Sequence, residues 1–228
     1  MLRSYVKRTG HFTGAQKKAY ETLSGEYLIP VPDENKTALN DDGYLDFKRI
    51  FNNSNDVIME IGFGCGAATV QIALNNPLIN YLGIEVHKPG IGHLLSEIKK
   101  NNLSNIRIIE YDAAFVVCTM IARASLDAVH IFFPDPWPKK KHQKRRLVTR
   151  PFTKYLAGCL KEGGYIYMVT DWEDYSIHAL KELSLTESLK NAYDGFAKPC
   201  AWRPKTRFEQ KGLDKEHEIR ELFFIKGR

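Results

Sequence analysis

The sequence predicts an α/β protein built on a Rossmann-like, doubly wound and mainly parallel β-sheet. From Asp56 onward, short runs rich in β-branched and aromatic residues alternate with longer segments whose apolar residues recur at helical spacing. A glycine-rich turn follows the first of these runs. The chain has 228 residues, of which 43% are hydrophobic, so it can bury a core of its own. Strict alternation of strand and helix indicates a parallel sheet covered on both faces.

Each element is predicted from its own pattern and its flanking turn residues. The expected strands are 57–61, 81–86, 106–111, 128–133 and 165–169. The expected helices are 67–75, 90–101, 113–124, 144–160 and 172–183. Residues 1–45 are expected to form a basic N-terminal arm and loop, because Pro30, Pro32 and the polar stretch 33–42 favour turns. Residues 46–228 are expected to form one domain.

Composition excludes several classes of protein. No stretch approaches the roughly 18–20 consecutive apolar residues of a membrane helix, and the basic N-terminus has no apolar core of a signal peptide. The four cysteines are far apart and include no CxxC pair, so neither a zinc site nor a disulfide framework is expected. We therefore expect a cytoplasmic protein with no metal and no membrane partner.

The excess positive charge is concentrated in one short segment. The net charge is 33 − 27 = +6, and residues 139–146 hold six cations and no acid. These six are Lys139, Lys140, Lys141, Lys144, Arg145 and Arg146. Clustered cations favour a nucleic acid, because they displace condensed counterions from its phosphates. The alternative is a solvated helix face with no partner.

An acid stands at the carboxyl end of every predicted strand, where open α/β sheets bind their ligands. The five acids are Glu60, Glu85, Asp112, Asp135 and Asp171. Helix capping alone would explain Asp112 or Asp171, because an Asp side chain accepts bonds from free N–H groups at a helix start. Five such acids together indicate a ligand site.

The glycine turn after the first strand indicates a nucleoside cofactor. Gly62, Gly64 and Gly66 allow a sharp reversal and bring backbone amides close to a ligand. Glu85 ends the next strand, 23 residues beyond Gly62, where a carboxylate can accept both hydroxyls of a ribose. Glu60 precedes the turn.

Two cofactors compete for this turn. The spacing Gly62-x-Gly64-x-x-Ala67 also fits the dinucleotide fingerprint of a nicotinamide dehydrogenase. The acid-preceded pattern resembles motif I of the S-adenosylmethionine-dependent methyltransferases instead. The Glu60 carboxylate favours a sulfonium and an ammonium over a pyrophosphate, so the local charge favours the methyl donor.

The segment that follows the fourth strand is the most specific in the chain. Asp135 stands between prolines that end the strand and restrict the loop, which makes it a candidate for a reactive-site group. Trp137 could stack on a base, or it could be a buried aromatic lid.

Several motifs together resemble one family, the bacterial tRNA (guanine-N7-)-methyltransferases. They are FPDPWPKKKHQKRRL, EIGFGCG, GIEVHKPGIG, TDWEDY, RPKTRFEQKG and the N-terminal RTGHFTGAQKKAYE, which together span nearly the whole chain. The resemblance implies a class I methyltransferase fold with an antiparallel C-terminal edge strand. It also implies that S-adenosyl-L-methionine methylates N7 of the variable-loop guanine, position 46, of tRNA.

The resemblance also implies a role for individual residues. Cofactor-binding positions are Glu60, Gly62, Gly64, Gly66, Glu85, Asp112, Ala113 and Asp135, of which Asp135 is also catalytic. Substrate-binding positions are Lys139, Asp171, Thr206, Arg207, Phe208 and Glu209. The remaining cations, Lys140, Lys141, Lys144, Arg145 and Arg146, are expected to contact RNA phosphates.

The sequence departs from the family pattern at three places. Cys65 replaces a common methionine, Arg207 replaces a common lysine, and residues 215–220 differ from the usual C-terminal segment. The last difference leaves both a monomer and a homodimer open.

Chemistry at guanine N7 needs no general base, because this nitrogen carries a free lone pair. We expect Asp135, with Asp171 or Glu209, to accept hydrogen bonds from the N1–H and N2–H edge of the guanine. Two rival functions remain at this stage, an RNA-binding module without catalysis and a methyltransferase that acts on protein or a small molecule.

Overall fold

The computed structural model describes Tyr5 and residues 10–31 and 42–227, so part of the predicted N-terminal arm lies outside the described residues. The chain divides into two compact units. One comprises Lys7–Ala122, and the other comprises Met1–Val6 with Arg123–Arg228.

The unit Lys7–Ala122 carries three parallel strands with helices between them. Its strands are β1 (Val57–Ile61), β2 (Asn80–Ile84) and β3 (Ile106–Ile109). Its helices are α1 (Gly14–Tyr27), α2 (Phe47–Phe51), α3 (Ala67–Asn75), α4 (Lys88–Lys100) and α5 (Ala113–Thr119). The register aligns Ile61 with Ile84 and Ile84 with Ile109, so the three strands end at the same edge.

The second unit carries four strands. They are β4 (Leu126–Phe132), β5 (Leu160–Thr170), β6 (Leu189–Asn191) and β7 (Arg220–Lys226). Its helices are a 3₁₀ helix (Lys140–Arg145), α6 (Arg150–Cys159), α7 (Glu173–Ser184) and α8 (Arg207–Leu213). β4 and β5 are parallel, whereas β7 is antiparallel to both β5 and β6.

The strand order confirms the predicted fold class. It is β3-β2-β1-β4-β5-β7-β6, with strand–helix alternation through most of the chain. The antiparallel C-terminal strand is β7, and the short β6 lies outside it. β1 and β2 are buried along their whole length, as expected for parallel strands covered on both faces. Among the described residues, no helix is long and apolar enough to cross a membrane.

Most predicted elements agree with the structure, and two helices were wrong in extent. β1 and α3 have the predicted bounds. The helix predicted over 144–160 is instead a 3₁₀ helix followed by α6, which starts at Arg150. Pro151 stands in the first turn of α6, where its missing N–H costs no hydrogen bond. The helix predicted over 113–124 ends at Thr119.

Helix α1 was not predicted, although it lies within the expected arm. A capping box starts it, because Thr13 accepts from the Gln16 N–H and Gln16 accepts from the Thr13 N–H. It packs against α4 so closely that a Cβ on Gly92 would lie 2.5 Å from the Gln16 carbonyl oxygen. The Tyr20 hydroxyl also donates to Glu110, at the end of β3. Helix α1 is therefore docked on the unit Lys7–Ala122.

Candidate active site

The glycine turn has the backbone conformation that its sequence predicts. Gly62, Gly64 and Gly66 have φ angles of 75°, 61° and 74°, in the left-handed region that favours glycine. Gly66 is the N-cap of α3, so the turn leads directly into the helix. Helix α4 packs against the turn at Gly90, where any larger residue would clash, because a Cβ there would lie 2.0 Å from the Gly64 carbonyl oxygen.

Glu85 links this turn to the loop after β2. Its carboxylate accepts hydrogen bonds from the backbone N–H groups of Gly64 at 2.8 Å, Val86 at 2.7 Å and His87 at 3.0 Å. Backbone N–H groups therefore hold Glu85, the predicted ribose-binding acid, beside the glycine turn. The Glu85 residue is half-buried.

Glu60 is a buried carboxyl group in the same unit. Only 4% of the residue is exposed, and Oε2 accepts from Thr69 Oγ1 of α3 at 2.7 Å. Burial raises the pKa of Glu60 to about 7, and the charge of Glu85 adds to this effect against the opposing Thr69 hydrogen bond. A cation bound nearby would favour the charged form of Glu60.

Asp112 follows β3 and caps α5. Its carboxylate accepts from the Phe115 N–H at 3.0 Å, so Asp112 is the N-cap of this helix. Ala113 is buried in the first turn. Because β1, β2 and β3 are parallel and end together, Glu60, Glu85 and Asp112 stand at one edge of this unit.

The loop after β4 holds Asp135 in a half-buried position. The residues two positions before and after it are strained, since Phe133 and Trp137 have φ angles of 49° and 46°. Trp137 is only 9% exposed, and the guanidinium carbon of Arg145 lies 5.0 Å from its ring centroid. The structure therefore supports the buried lid for Trp137 rather than an open platform for a base.

Five of the six clustered cations are exposed, and we call these five the cationic strip. They are Lys139, Lys140, Lys141, Lys144 and Arg145. Arg146 differs, because its side chain is 2% exposed and forms an ion pair with Asp174. It also donates to the Pro136 carbonyl at 3.0 Å and lies over the Tyr175 ring. Arg146, which the sequence assigned to an RNA phosphate, is therefore buried in this structure, where its charge holds the loop.

Asp171 follows β5 and lies beside a pocket of about 490 Å³. The pocket is lined by Asp171, Trp172, Glu173, Asp174, Glu216, His217, Glu218 and Arg220. His217 Nδ1 is 3.2 Å from Asp171 Oδ2, and a Cβ on Gly212 would lie 2.9 Å from the Asp171 Cβ. The atypical C-terminal segment thus packs on a predicted substrate-binding acid.

The segment Thr206–Glu209 forms the start of α8. Thr206 is its N-cap, and Arg207 and Phe208 are exposed. Glu209 is 6% exposed, and both of its oxygens accept from the Arg203 guanidinium, at 2.6 and 3.1 Å. Arg203 therefore holds both oxygens of this carboxylate, which the sequence assigned to the substrate.

Three functional candidates were missed at the level of sequence. Folding brings Arg203 to Glu209, Glu221 to Arg203, and His217 to Asp171. Arg203 lies in the motif RPKTRFEQKG, but no local pattern shows that it is buried. In the part of the chain that the structure describes, no group of three His, Cys, Asp or Glu residues could hold a metal ion.

Comparison with known proteins places this site in a family. Residues 54–222 match a family described as "Putative methyltransferase". The tRNA (guanine-N(7)-)-methyltransferase of Nitrosomonas eutropha is 47% identical over 226 residues, which cover 99% of this chain and 97% of that protein. The enzyme of the same description from Francisella philomiragia is 45% identical over 99% of this chain and 95% of its own.

A solved structure supports the fold at much lower sequence identity. The 16S rRNA methyltransferase KamB is 13% identical, covers 100% of both chains and has a TM-score of 0.58. At this identity the likeness concerns the fold alone. Full-length identity of more than 40% to the two relatives is decisive, and the chain belongs to the tRNA (guanine-N(7)-)-methyltransferase family.

Proposed function

We propose that this protein transfers the methyl group of S-adenosyl-L-methionine to N7 of the variable-loop guanine of tRNA. The observation that carries the proposal is the set of three carboxylates, Glu60, Glu85 and Asp112, at the common edge of β1, β2 and β3 around a glycine turn. Family membership favours the methyl donor over the nicotinamide cofactor for this turn. A tRNA substrate would place the activity in the cytoplasm, with residues 46–228 as the catalytic domain and 1–45 as an arm.

The chemistry of this edge fits a cationic nucleoside. Glu60 is buried without an ion pair among the described residues, and its raised pKa shows that the charged form lacks a compensating cation. An added Cβ on Gly62 would meet no atom within 4 Å, so the turn leaves open space beside the edge. We assign Glu60 to the cationic end of the cofactor, Glu85 to the ribose, and Asp112 with Ala113 to the base.

S-adenosyl-L-methionine, when bound, would supply an electrophilic methyl group. The residues of the protein then have to orient guanine N7 and exclude water, since the lone pair on N7 needs no deprotonation. Orientation of this kind is worth about 7–11 kcal/mol of activation barrier in favourable cases. No general base has to be assigned.

The acids of the second unit can accept hydrogen bonds from the target guanine. Methylation at N7 places positive charge on the purine and makes its N1–H a stronger donor. We assign Asp135, and Asp171 at the wall of the 490 Å³ pocket, to this edge as acceptors whose hydrogen bonds strengthen in the transition state. Glu209 is removed from this role because Arg203 holds both of its oxygens.

The cationic strip is assigned to the tRNA phosphates. Its five side chains are exposed and adjacent along the chain, and each neutralised phosphate adds a salt-dependent increment of affinity. Lys139 is the member closest along the chain to Asp135, so it is assigned to the nucleotide next to the target.

The proposal is tested by locating the methyl group. Unmodified tRNA is incubated with the protein and labelled S-adenosyl-L-methionine, then treated with borohydride and aniline, which cleave the chain at 7-methylguanine. Cleavage at the variable-loop guanine is expected, with Asp135→Ala as the inactive control. Label incorporation at any other atom or loop, or tRNA binding without incorporation, would overturn the proposal.

A further inference from the structure

A buried cluster of charged side chains lies beneath the start of α8. Arg203, Glu209 and Glu221 expose only 4%, 8% and 1% of their side chains. Arg203 donates to Glu221 Oε1 at 2.8 Å and, through Nε, to the Tyr167 hydroxyl at 3.1 Å, in addition to its two bonds to Glu209. The Tyr167 hydroxyl donates in turn to Glu221. All three guanidinium nitrogens are therefore engaged by residues of this chain.

The cluster joins separate parts of the unit. Tyr167 is on β5, Glu221 is on β7 and Glu209 is on α8. Arg203 lies in the loop that leads into α8, and it bonds to all three. Arg203 therefore attaches this loop to the sheet.

A second anchor lies directly beside Arg203. The Trp202 ring stacks on His130 of β4, with centroids 5.2 Å apart, and meets the Tyr167 ring edge-on at 5.4 Å. Burial lowers the pKa of His130 to about 3, so this ring is neutral and packs as an aromatic side chain. The loop before α8 is thus fixed on the sheet by two neighbouring side chains, the aromatic Trp202 and the charged Arg203.

Glu209 connects Arg203 to the start of α8, because it also forms the cap of this helix. Its Oε2 accepts from the Thr206 N–H at 3.4 Å while Thr206 Oγ1 accepts from the Glu209 N–H at 3.0 Å, which forms a capping box. The two residues between these partners are Arg207 and Phe208, and both are exposed. Their positions are therefore determined by a cap that Arg203 holds in place.

We propose that Arg203 is a positioning residue for tRNA recognition, and that Glu209 acts through Arg203 rather than by contact with the substrate. The groups presented to the tRNA are Arg207 and Phe208. This inference rests on the proposed function, because it concerns how the same site meets its tRNA.

The geometry of the guanidinium makes a conservative test available. Arg203→Lys keeps the charge, but an ammonium group cannot reproduce the forked contact with Glu209 together with the bonds to Glu221 and Tyr167. We expect Arg203→Lys to raise KM for tRNA by about tenfold, which corresponds to the loss of one charge-assisted bond. The KM for S-adenosyl-L-methionine should stay within about twofold. Arg123→Lys, at an exposed arginine, is the matched control.

Glu209→Gln distinguishes a role of Glu209 in holding Arg203 from direct contact of Glu209 with the guanine. The amide keeps the shape and one acceptor oxygen, and Arg203 retains Glu221 as its ionic partner. We expect a raised KM for tRNA with kcat within about threefold of the wild type. A fall in kcat of about 100-fold or more with unchanged KM for tRNA would show direct contact with the reacting guanine and overturn the proposal.

The double variant Arg203→Lys with Glu209→Gln tests the coupling. If both residues act through one contact, the rise in KM for tRNA in the double variant equals that of the more severe single variant. Rises that multiply would contradict the proposal, because independent residues have additive free energies.

The midpoint of thermal unfolding is measured for each variant as the control for correct folding. Should Arg203→Lys fail to fold, Tyr167→Phe removes one hydroxyl from the cluster, and Tyr155→Phe, at an exposed tyrosine on α6, is its control. Tyr167→Phe is expected to raise KM for tRNA about threefold or more, and an unchanged value would overturn the inference. If the wild type itself transfers no methyl group to tRNA, the proposed function fails. If the wild type is active and the cluster variants bind tRNA normally, only this inference fails.

Discussion

Glu60→Gln should change the pH dependence of stability in a direction fixed by the burial of this carboxyl. Glu60 is 4% exposed, and its pKa in the folded protein is about 7, against 4.5 ordinarily. A carboxyl whose pKa is raised by folding holds its proton more tightly in the folded state than in the unfolded state. The contribution of Glu60 to stability is therefore greatest below pH 4.5 and falls as the pH rises towards 7.

The magnitude follows from the shift itself. A difference of about 2.5 pKa units at about 1.36 kcal/mol per unit gives a loss of about 3 kcal/mol between pH 4.5 and pH 7. Glutamine is neutral at every pH and still accepts from Thr69, so Glu60→Gln should not show this loss. The variant should gain about 3 kcal/mol on the wild type between pH 4.5 and pH 8 in the absence of cofactor.

The assay is chemical denaturation of both proteins at pH 4.5 and pH 8, analysed as the difference between them so that the other titrating groups cancel. The same substitution at an exposed carboxyl, Glu187→Gln, is the matched control. If the difference between Glu60→Gln and the wild type is the same at both pH values, Glu60 is not a buried carboxyl with a raised pKa, and the reasoning is refuted.

Four further predictions concern the other parts of the molecule. Asp135→Ala should lower kcat about 100-fold or more and weaken cofactor binding only in part, and a near-normal kcat in a steady-state assay would end its catalytic role. Charge reversal of the cationic strip should raise KM for tRNA and reduce the slope of log KM against log salt concentration. Arg146→Glu should instead lower the free energy of unfolding, measured by chemical denaturation, by about 3–5 kcal/mol, because it leaves an unpaired charge at a buried position. Gly92→Ala should loosen α1 from α4, because the new Cβ would lie 2.5 Å from the Gln16 carbonyl oxygen. Faster amide hydrogen exchange or faster proteolysis within α1 would show this loosening. Unchanged protection of α1 would argue against close packing of the two helices.

The site's acids were predictable because they occupy local positions in a repeating pattern. Each lies at or just after the carboxyl end of a run of β-forming residues, which is where ligands of parallel sheets bind. The glycine turn was predictable for a similar reason, since positive φ angles at Gly62, Gly64 and Gly66 are a local backbone property. These features confirm that alternation and turn chemistry are sufficient to place Glu60, Glu85 and Asp112.

Burial of individual charges was not predictable in this way. Arg145 and Arg146 are neighbours in one basic run, yet Arg145 is exposed and Arg146 is buried against Asp174, 28 residues away. Glu209 appears in the sequence as one residue of a substrate motif, but its environment is created by Arg203 and the sheet. Tyr167 and Glu221, which complete that environment, are 54 residues apart.

The amino-acid sequence alone therefore determined the α/β alternation, the glycine turn, the acids at the strand ends and the location of the basic run, because each depends on neighbours within a few residues. Only the tertiary structure decided which charges face solvent, which are paired in the interior, and that α1 docks on α4. These outcomes depend on contacts between residues distant in the chain, where the cost of burying a charge is met by a partner that folding brings to it.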